Sequence, residues 1–111
     1  MTIAKVIYFF RFKVTSGLTQ IPPPMVGAFV AAYSLGETPT IAAERAVSKF
    51  RTMGYIVEDM DPKGGAVAVA DWDKHVAETW PEFVEHFPRQ ESVVAQLETR
   101  EAILGPFAGY E

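Results

Sequence analysis

Hydrophobic and polar residues alternate from Ile3 to Val14. This period of two is typical of a β-strand, because successive side chains of a strand point to opposite faces. The apolar face holds Ala4, Val6, Tyr8, Phe10, Phe12 and Val14. The opposite face carries Lys5, Arg11 and Lys13. We therefore predict an N-terminal strand with one thoroughly apolar face.

A proline-rich arm follows from Thr15 to Met25. Pro22, Pro23 and Pro24 cannot donate ladder hydrogen bonds and favour extended backbone. The arm also carries apolar Leu18, Ile21 and Met25. We expect it to lie on the body of the protein or on a partner chain.

A second strand and a helix are predicted next. Val26 to Leu35 is apolar and of strand length, and Thr38-Pro39 is typical of a helix start with an N-cap followed by proline at the first position. Inward positions then recur at intervals of three and four residues: Ala43, Ala46, Val47, Phe50 and Met53. Gly54 is suited to a left-handed helix end.

Two short strands are predicted after this helix. Tyr55 to Met60 and Ala66 to Ala70 flank Asp61 to Gly65, which has strong turn chemistry, so a hairpin is the simplest interpretation. Propensity alone would allow a helix over residues 66–70. The short length and the preceding glycines favour a strand.

The C-terminal third predicts a broken helix and a closing strand. Asp71 is a candidate cap, and proline at positions 81 and 88 should bend or restart the helix. The apolar stripe comprises Trp72, Val76, Trp80, Phe83, Val84 and Phe87, and later Val93, Val94 and Leu97. Ala102 to Phe107 is the expected closing strand. The tail, Ala108 to Glu111, should dock along its own sheet or against a neighbouring subunit.

The order of these elements predicts the fold class. From Val26 onward it reads strand, helix, strand, strand, helix, strand, which is similar to a ferredoxin-like βαββαβ two-layer sandwich. The N-terminal strand is then an extra element. A chain of 111 residues with 49% hydrophobic residues is suited to one α+β domain, residues 1–111, with its own core.

Composition removes several classes of function. The chain has no cysteine, so thiol nucleophiles, disulfides and iron–sulfur ligation are excluded. A net charge of −4 gives no general attraction to nucleic acid or anionic lipid. No apolar run reaches the length of a membrane span. We expect a cytoplasmic protein without a bound metal or other cofactor, and without a nucleic-acid or membrane partner.

Two histidines are the only groups with a pattern suited to catalysis. On a continuous helix, His75, Glu78, Thr79, Glu82 and His86 would form one stripe beside the apolar face. About 16 Å of helical rise would separate the imidazoles, too far for one shared metal. His75, His86 and Glu82 are therefore the candidate catalytic residues, although a solvated surface stripe is the simpler interpretation.

Aromatic residues predict a binding cleft between the sheet and the second helix. Tyr33, Trp72, Trp80 and Tyr110 are the candidate walls for a small organic ligand. Packing in the core is the alternative explanation for each of them.

The reverse face of the first strand predicts self-association. It carries Ile3, Ile7 and Phe9, and a monomer exposing them would present an apolar patch. We expect a homodimer joined sheet to sheet or through the first strand and its arm, as in dimeric α+β assemblies. The expected function is a non-catalytic module that binds a small molecule or another protein. The alternative is a cofactor-independent enzyme that uses a histidine as general acid or base.

Overall fold

The computed structural model describes residues 6–111, which form a small compact α+β fold with a six-stranded antiparallel sheet and three α-helices. The strands are β1 (Val6–Ser16), β2 (Gly27–Leu35), β3 (Tyr55–Met60), β4 (Gly65–Ala68), β5 (Ile103–Leu104) and β6 (Ala108–Tyr110). The helices are α1 (Pro39–Thr52), α2 (Trp72–Thr79) and α3 (Gln90–Arg100). Single 3₁₀ turns lie at Val69–Asp71 and Val84–His86.

A long hairpin of β1 and β2 forms the centre of the sheet. Phe9 pairs with Tyr33, and Arg11 pairs with Ala31. On the outer side of β1, β4 pairs with its first half and β3 with its second half. On the outer side of β2, β5 and β6 are arranged in the same way. Each central strand is thus flanked by an outer strand interrupted near its middle.

The hairpin predicted between residues 55–60 and 66–70 is wrong, although a strand is present at Gly65–Ala68. The backbone N–H of Asp61 donates to the Arg11 carbonyl at 2.9 Å, which keeps the chain beside β1. The glycines permit close approach to β1: a Cβ on Gly65 would lie 2.3 Å from the Phe9 ring. The Asp61–Gly64 segment therefore interrupts one outer strand without reversing the chain.

The ferredoxin-like arrangement is not confirmed. The N-terminal strand lies between β2 and the pair β3 and β4, so it is a central strand and not an addition to a separate four-stranded sheet. The predicted two-layer architecture is also not found, because helices cover both faces of the sheet. The reason is that both faces of the central hairpin are apolar near its Ile7–Leu35 end.

Helix α1 covers one face of the sheet. The N-cap prediction is confirmed, since the Thr38 hydroxyl accepts the Ile41 N–H at 3.2 Å, and Gly54 follows the helix with φ 88°. Phe50 packs on Phe12, with ring centroids 5.2 Å apart. The buried cluster comprises Phe10, Phe12, Val14, Ile21, Ala28, Val30, Ala32, Ala42, Ala46, Phe50 and Ala102.

Helices α2 and α3 cover half of the opposite face. Their cluster with the sheet comprises Ile7, Tyr33, Leu35, Val67, Trp72, Val76, Phe87, Val93, Leu97 and Ile103. The other half of this face carries Arg11, Lys13 and Phe29, which are partly or fully exposed. We call this second part, together with Ile56 and Glu58 of β3, the open half of the sheet.

The continuous second helix predicted from Asp71 is wrong in extent. Helix α2 ends at Thr79, before Pro81, and the Asp71 side chain makes no capping hydrogen bond. A reciprocal pair joins the N-termini of α2 and α3 instead. The Gln90 N–H donates to Asp73 Oδ1 at 2.8 Å, and the Asp73 N–H donates to Gln90 Oε1 at 3.1 Å.

The arm and the tail follow their predictions in part. Ile21 is buried against the α1 face, whereas Leu18 is 97% exposed. The predicted closing strand over 102–107 is reduced to β5: the Gly105 N–H still donates to the Ala31 carbonyl at 2.7 Å, but Pro106, which follows, has no N–H to continue the ladder. The tail then docks on its own sheet as β6.

Candidate functional site

A groove of about 520 Å³ lies where α2 ends above the open half of the sheet. Its floor is the middle of the central hairpin. The interruptions of the two outer strands, at Asp61–Gly64 and Gly105–Phe107, lie at its opposite sides. Its aromatic lining comprises Phe9, Phe10, Phe29, Tyr33, Trp80, Phe83 and Phe107. We call this the aromatic groove.

Trp80 reaches the groove because α2 stops immediately before it. The Trp80 N–H still donates to the Val76 carbonyl at 2.8 Å, which fixes the backbone of the helix end. The indole passes close to Gly105, where an added Cβ would lie 3.3 Å from Trp80 Cζ2. The glycine at the second strand interruption therefore makes room for the indole.

Tyr33, His75 and Trp80 form a partly buried polar cluster under one wall of the groove. Trp80 Nε1–H donates to the Tyr33 hydroxyl oxygen at 2.9 Å, and that oxygen lies 2.8 Å from His75 Nε2. An indole N–H only donates, so the Tyr33 oxygen accepts from Trp80. The Tyr33 proton is then free to point at a neutral His75 Nε2. This assignment satisfies the Tyr33 hydroxyl, the Trp80 indole N–H and His75 Nε2, and we call the three residues the Tyr33 network.

Burial keeps the Tyr33 network neutral. Desolvation raises the pKa of Tyr33, and the Trp80 hydrogen bond opposes this rise. Desolvation lowers the pKa of His75, and the nearby Glu78 carboxylate opposes the fall. Both shifts favour the uncharged forms, so proton transfer from Tyr33 to His75 is disfavoured near neutral pH. The network is therefore better suited to holding the Trp80 indole in place than to relaying a proton.

Cationic side chains stand on the rim of the groove. The Arg11 guanidinium lies over the Phe29 ring, 4.6 Å from its centroid, and Lys63 lines the side formed by the first strand interruption. Asp61 also lines this side, and its Oδ1 accepts the Lys63 N–H at 2.9 Å. The groove thus combines apolar walls with two positive charges and one carboxylate, that of Asp61, which accepts a backbone hydrogen bond within its own turn.

The four candidate ligand-binding residues occupy different places. Tyr33 and Trp80 line the groove. Trp72 is fully buried, and its indole N–H donates to the Pro88 carbonyl at 2.8 Å. Tyr110 stacks on Phe29, with centroids 5.2 Å apart, and lies outside the lining of the groove.

The three candidate catalytic residues do not converge. His75 belongs to the Tyr33 network, whereas His86 Nε2 lies 2.9 Å from the Leu104 carbonyl oxygen. Glu82 is exposed, in the segment between α2 and α3. The single helical stripe predicted for these residues is wrong, because the helix ends at Thr79. No carboxylate among residues 6–111 is hydrogen-bonded to either imidazole.

Sequence reasoning missed most of the groove lining. Phe83 and Phe107 were assigned to a helical stripe and to a closing strand, and Arg11 and Lys63 were not site candidates. The one available signal was Phe107, an aromatic residue held after Gly105-Pro106 at the end of the chain. The arrangement of Arg11 over Phe29 depends on the register of β1 with β2, which the sequence pattern does not fix.

A second depression of about 580 Å³ lies between α2 and the segment before α3. Its polar lining includes Asp73, which is already hydrogen-bonded to Gln90, together with Glu85 and Arg89. It lacks the ring of aromatic side chains and the buried support of the aromatic groove. We therefore regard the aromatic groove as the stronger candidate site.

No group of three histidine, aspartate or glutamate side chains within residues 6–111 is placed to hold a metal ion. No helix in this part of the chain is long and apolar enough to cross a membrane.

Comparison of the chain with protein-family models, curated proteins and solved structures finds no match.

Proposed function

We propose that the protein binds a small organic molecule in the aromatic groove. The observation that carries this proposal is the presence of seven aromatic residues in the lining of one cavity of about 520 Å³. A cavity of this size with apolar walls and a few polar groups has the usual character of a small-ligand site. Aromatic rings also bind planar ligands through face and edge contacts.

The Tyr33 network supports binding because it makes one wall of the groove rigid. Tyr33 is only 1% exposed, and its ring contacts Phe9, Trp72 and Phe87 with centroids 5.0 to 6.0 Å apart. The hydrogen bond from Trp80 fixes the indole that faces the cavity. A wall held in this way loses little conformational freedom when a ligand binds, which favours affinity.

The same network disfavours the alternative of a histidine-dependent enzyme. A general base needs a free nitrogen within hydrogen-bond reach of the substrate. His75 Nε2 is occupied by the buried Tyr33 hydroxyl, and His86 Nε2 lies 2.9 Å from the Leu104 carbonyl oxygen. We therefore propose a non-catalytic module.

Ligand binding is testable through the Trp80 indole. The chain has two tryptophans, so a ¹H–¹⁵N spectrum contains two indole N–H signals. A planar probe such as 2-naphthamide or 2-naphthoate should move the Trp80 signal and leave the buried Trp72 signal in place. Trp80→Phe assigns the signal. Unchanged spectra with both probes at millimolar concentration would contradict the proposal.

Substitutions at two adjacent exposed residues should show where the probe binds. Phe83→Ala removes a side chain that lines the aromatic groove and should weaken probe binding. Val84→Ala alters the next residue, which lines the second depression instead, and should leave binding unchanged. Equal effects of the two substitutions would place the probe elsewhere.

We also propose that two copies associate through the open half of the sheet. Ile56 is 53% exposed there. Basic Lys13 lies on β1, and acidic Glu58 and Asp59 lie on the adjacent β3. Across a two-fold axis, the basic strand of one copy can face the acidic strand of the other, and such an interface is self-complementary.

Sedimentation velocity tests the association. Ile56→Glu places a charge on the open half and should shift a dimer to a monomer. Ile41→Glu is the matched control, because Ile41 is similarly exposed, at 41%, on the outer side of α1. A compact monomer for the unmodified protein at micromolar concentration would overturn the homodimer while leaving the ligand proposal intact.

A further inference from the structure

Resting on the proposed function, we infer that the ligand of the aromatic groove is a planar aromatic carboxylate whose anionic group binds Arg11. The inference depends on which charges around the groove are already neutralised by the protein and which are not. The charged side chains of the lining are Arg11, Asp61 and Lys63.

Arg11 brings an unused guanidinium to the groove. Among residues 6–111, ion pairs join Lys13 to Glu58 and Lys74 to Glu78, and none involves Arg11. Its side chain is exposed and makes no hydrogen bond to this part of the chain. A guanidinium presents donors in a planar fork that matches the two oxygens of a carboxylate.

Phe29 orients this guanidinium. The 4.6 Å distance from Arg11 Cζ to the ring centroid indicates a cation–π contact, which holds the side chain against the sheet. Both residues also line the groove, so the cation and the aromatic surface are presented side by side. A ligand that stacks on Phe29 or Trp80 with its charged group at the rim can use both surfaces at once.

The remaining charges favour an anion over a cation. Lys63 adds a second positive charge to the same side of the groove. Asp61 is the only carboxylate in the lining, and one of its oxygens accepts the Lys63 backbone N–H. Lys13, the next cation along β1, is occupied by Glu58 at 3.6 Å. Two positive charges and one negative charge leave the groove lining with a formal charge of +1, although the whole chain has a net charge of −4.

The test compares two probes of nearly equal size and shape, 2-naphthoate and its uncharged amide, 2-naphthamide. Isothermal titration calorimetry gives the affinities, and the Trp80 indole signal reports occupation of the groove. We expect 2-naphthoate to bind about tenfold or more tightly than 2-naphthamide, as is typical of a charge-assisted hydrogen bond. Its affinity should also fall as salt is added.

Substitutions at the rim identify the anion-binding group. Arg11→Gln should remove most of the preference for 2-naphthoate while leaving the affinity for 2-naphthamide nearly unchanged. Lys63→Gln should have a smaller effect, because an ammonium on an exposed loop acts as a screened point charge. Lys74→Gln is the control: it removes an equivalent charge from the exposed side of α2, away from the groove.

The outcomes separate this inference from the proposed function. Equal binding of both probes, unaffected by Arg11→Gln, would overturn the anion preference and leave a groove that binds aromatic molecules. A preference for 2-naphthoate that persists in Arg11→Gln would also overturn the assignment to Arg11. Absence of binding by either probe contradicts the proposed function, and with it the inference that rests on it. Thermal unfolding of Arg11→Gln should match that of the unmodified protein, which excludes misfolding as the cause.

Discussion

The apolar side chains on the two faces of the sheet are buried in different ways. On the α1 face, one amphipathic helix covers apolar side chains along the hairpin, and Ser34 is the one buried polar residue of β1 and β2. On the opposite face, α2 and α3 cover only half of the surface. The Tyr33 network and the aromatic groove lie at the boundary of that cover. The candidate site therefore lies where helical cover stops and polar groups form hydrogen bonds with one another.

The largest expected effect is on the fully covered face. Phe50→Ala removes a completely buried ring from the α1 face, and it should lower the free energy of unfolding by about 3–5 kcal/mol. Phe83→Ala, at the groove, should change it by no more than about 0.5 kcal/mol, because Phe83 is already 44% exposed. Urea unfolding followed by circular dichroism measures both. Similar losses for the two variants would remove the distinction between the faces.

The second-largest expected effect distinguishes Tyr33, which belongs to the Tyr33 network, from Tyr8, which does not. Tyr33→Phe leaves the Trp80 N–H without its acceptor, and it should cost about 1–3 kcal/mol in unfolding free energy. Tyr8→Phe is the matched control on the α1 face, because the Tyr8 hydroxyl forms no hydrogen bond with any residue in the 6–111 range.

Spectroscopy supplies a second measure of the same substitution. The Trp80 indole N–H signal should shift and exchange faster with solvent in Tyr33→Phe, whereas Tyr8→Phe should leave it unchanged. An unaltered Trp80 signal in Tyr33→Phe would show that the hydroxyl is not its acceptor.

The sequence predicted the covered face better than the boundary. The period of two in the first strand, and the Thr38-Pro39 start and Gly54 end of α1, are local signals that the structure contains. The Asp61–Gly65 turn chemistry was equally clear, but turn residues do not specify which strand the chain pairs with next. The extended continuation along β1 is decided by contacts with Phe9 and Arg11.

The site was less predictable for a related reason. Tyr33 and Trp80 were identified as candidate walls, but the hydrogen bonds that join them to His75 link three elements distant in sequence. The end of α2 at Thr79 also moved His86 and Glu82 away from His75. Helical periodicity assumes a continuous helix and has no information about such tertiary contacts.

The pH dependence of the unfolding free energy provides a further test of the Tyr33 network. The pKa of His75 is lowered in the folded protein from its ordinary value of 6.5, mainly by burial. The unfolded chain therefore binds the proton more readily, so the stabilising contribution of neutral His75 is present above pH 6.5 and is lost as the pH falls through the lower folded pKa.

Urea unfolding between pH 7.5 and pH 5 tests this sign. The free energy of unfolding should fall on acidification, and it should fall less in His75→Gln. His86→Gln is the control, since His86 is exposed. A slope unchanged by His75→Gln would show that His75 is not desolvated by the network.

The smallest effect is expected on the open half. Lys13 pairs with Glu58 and lies 5.3 Å from the Tyr110 ring centroid, and these neighbours raise its pKa. The pair is solvated, so Lys13→Gln should move the urea midpoint less than Tyr33→Phe does. A loss as large as that of Tyr33→Phe would indicate that this surface is buried in solution, as in the proposed homodimer.

The interrupted outer strands have a consequence for behaviour in concentrated solution. The unpaired edge of a strand can pair with a strand of another polypeptide, and long, flat edges promote aggregation. Here the edges are broken into pieces of 6, 4, 2 and 3 residues, and Glu58, Asp59 and Lys63 place charges along one of them. The gaps that flank the aromatic groove thus also shorten the strand edges on which amyloid-like growth could begin.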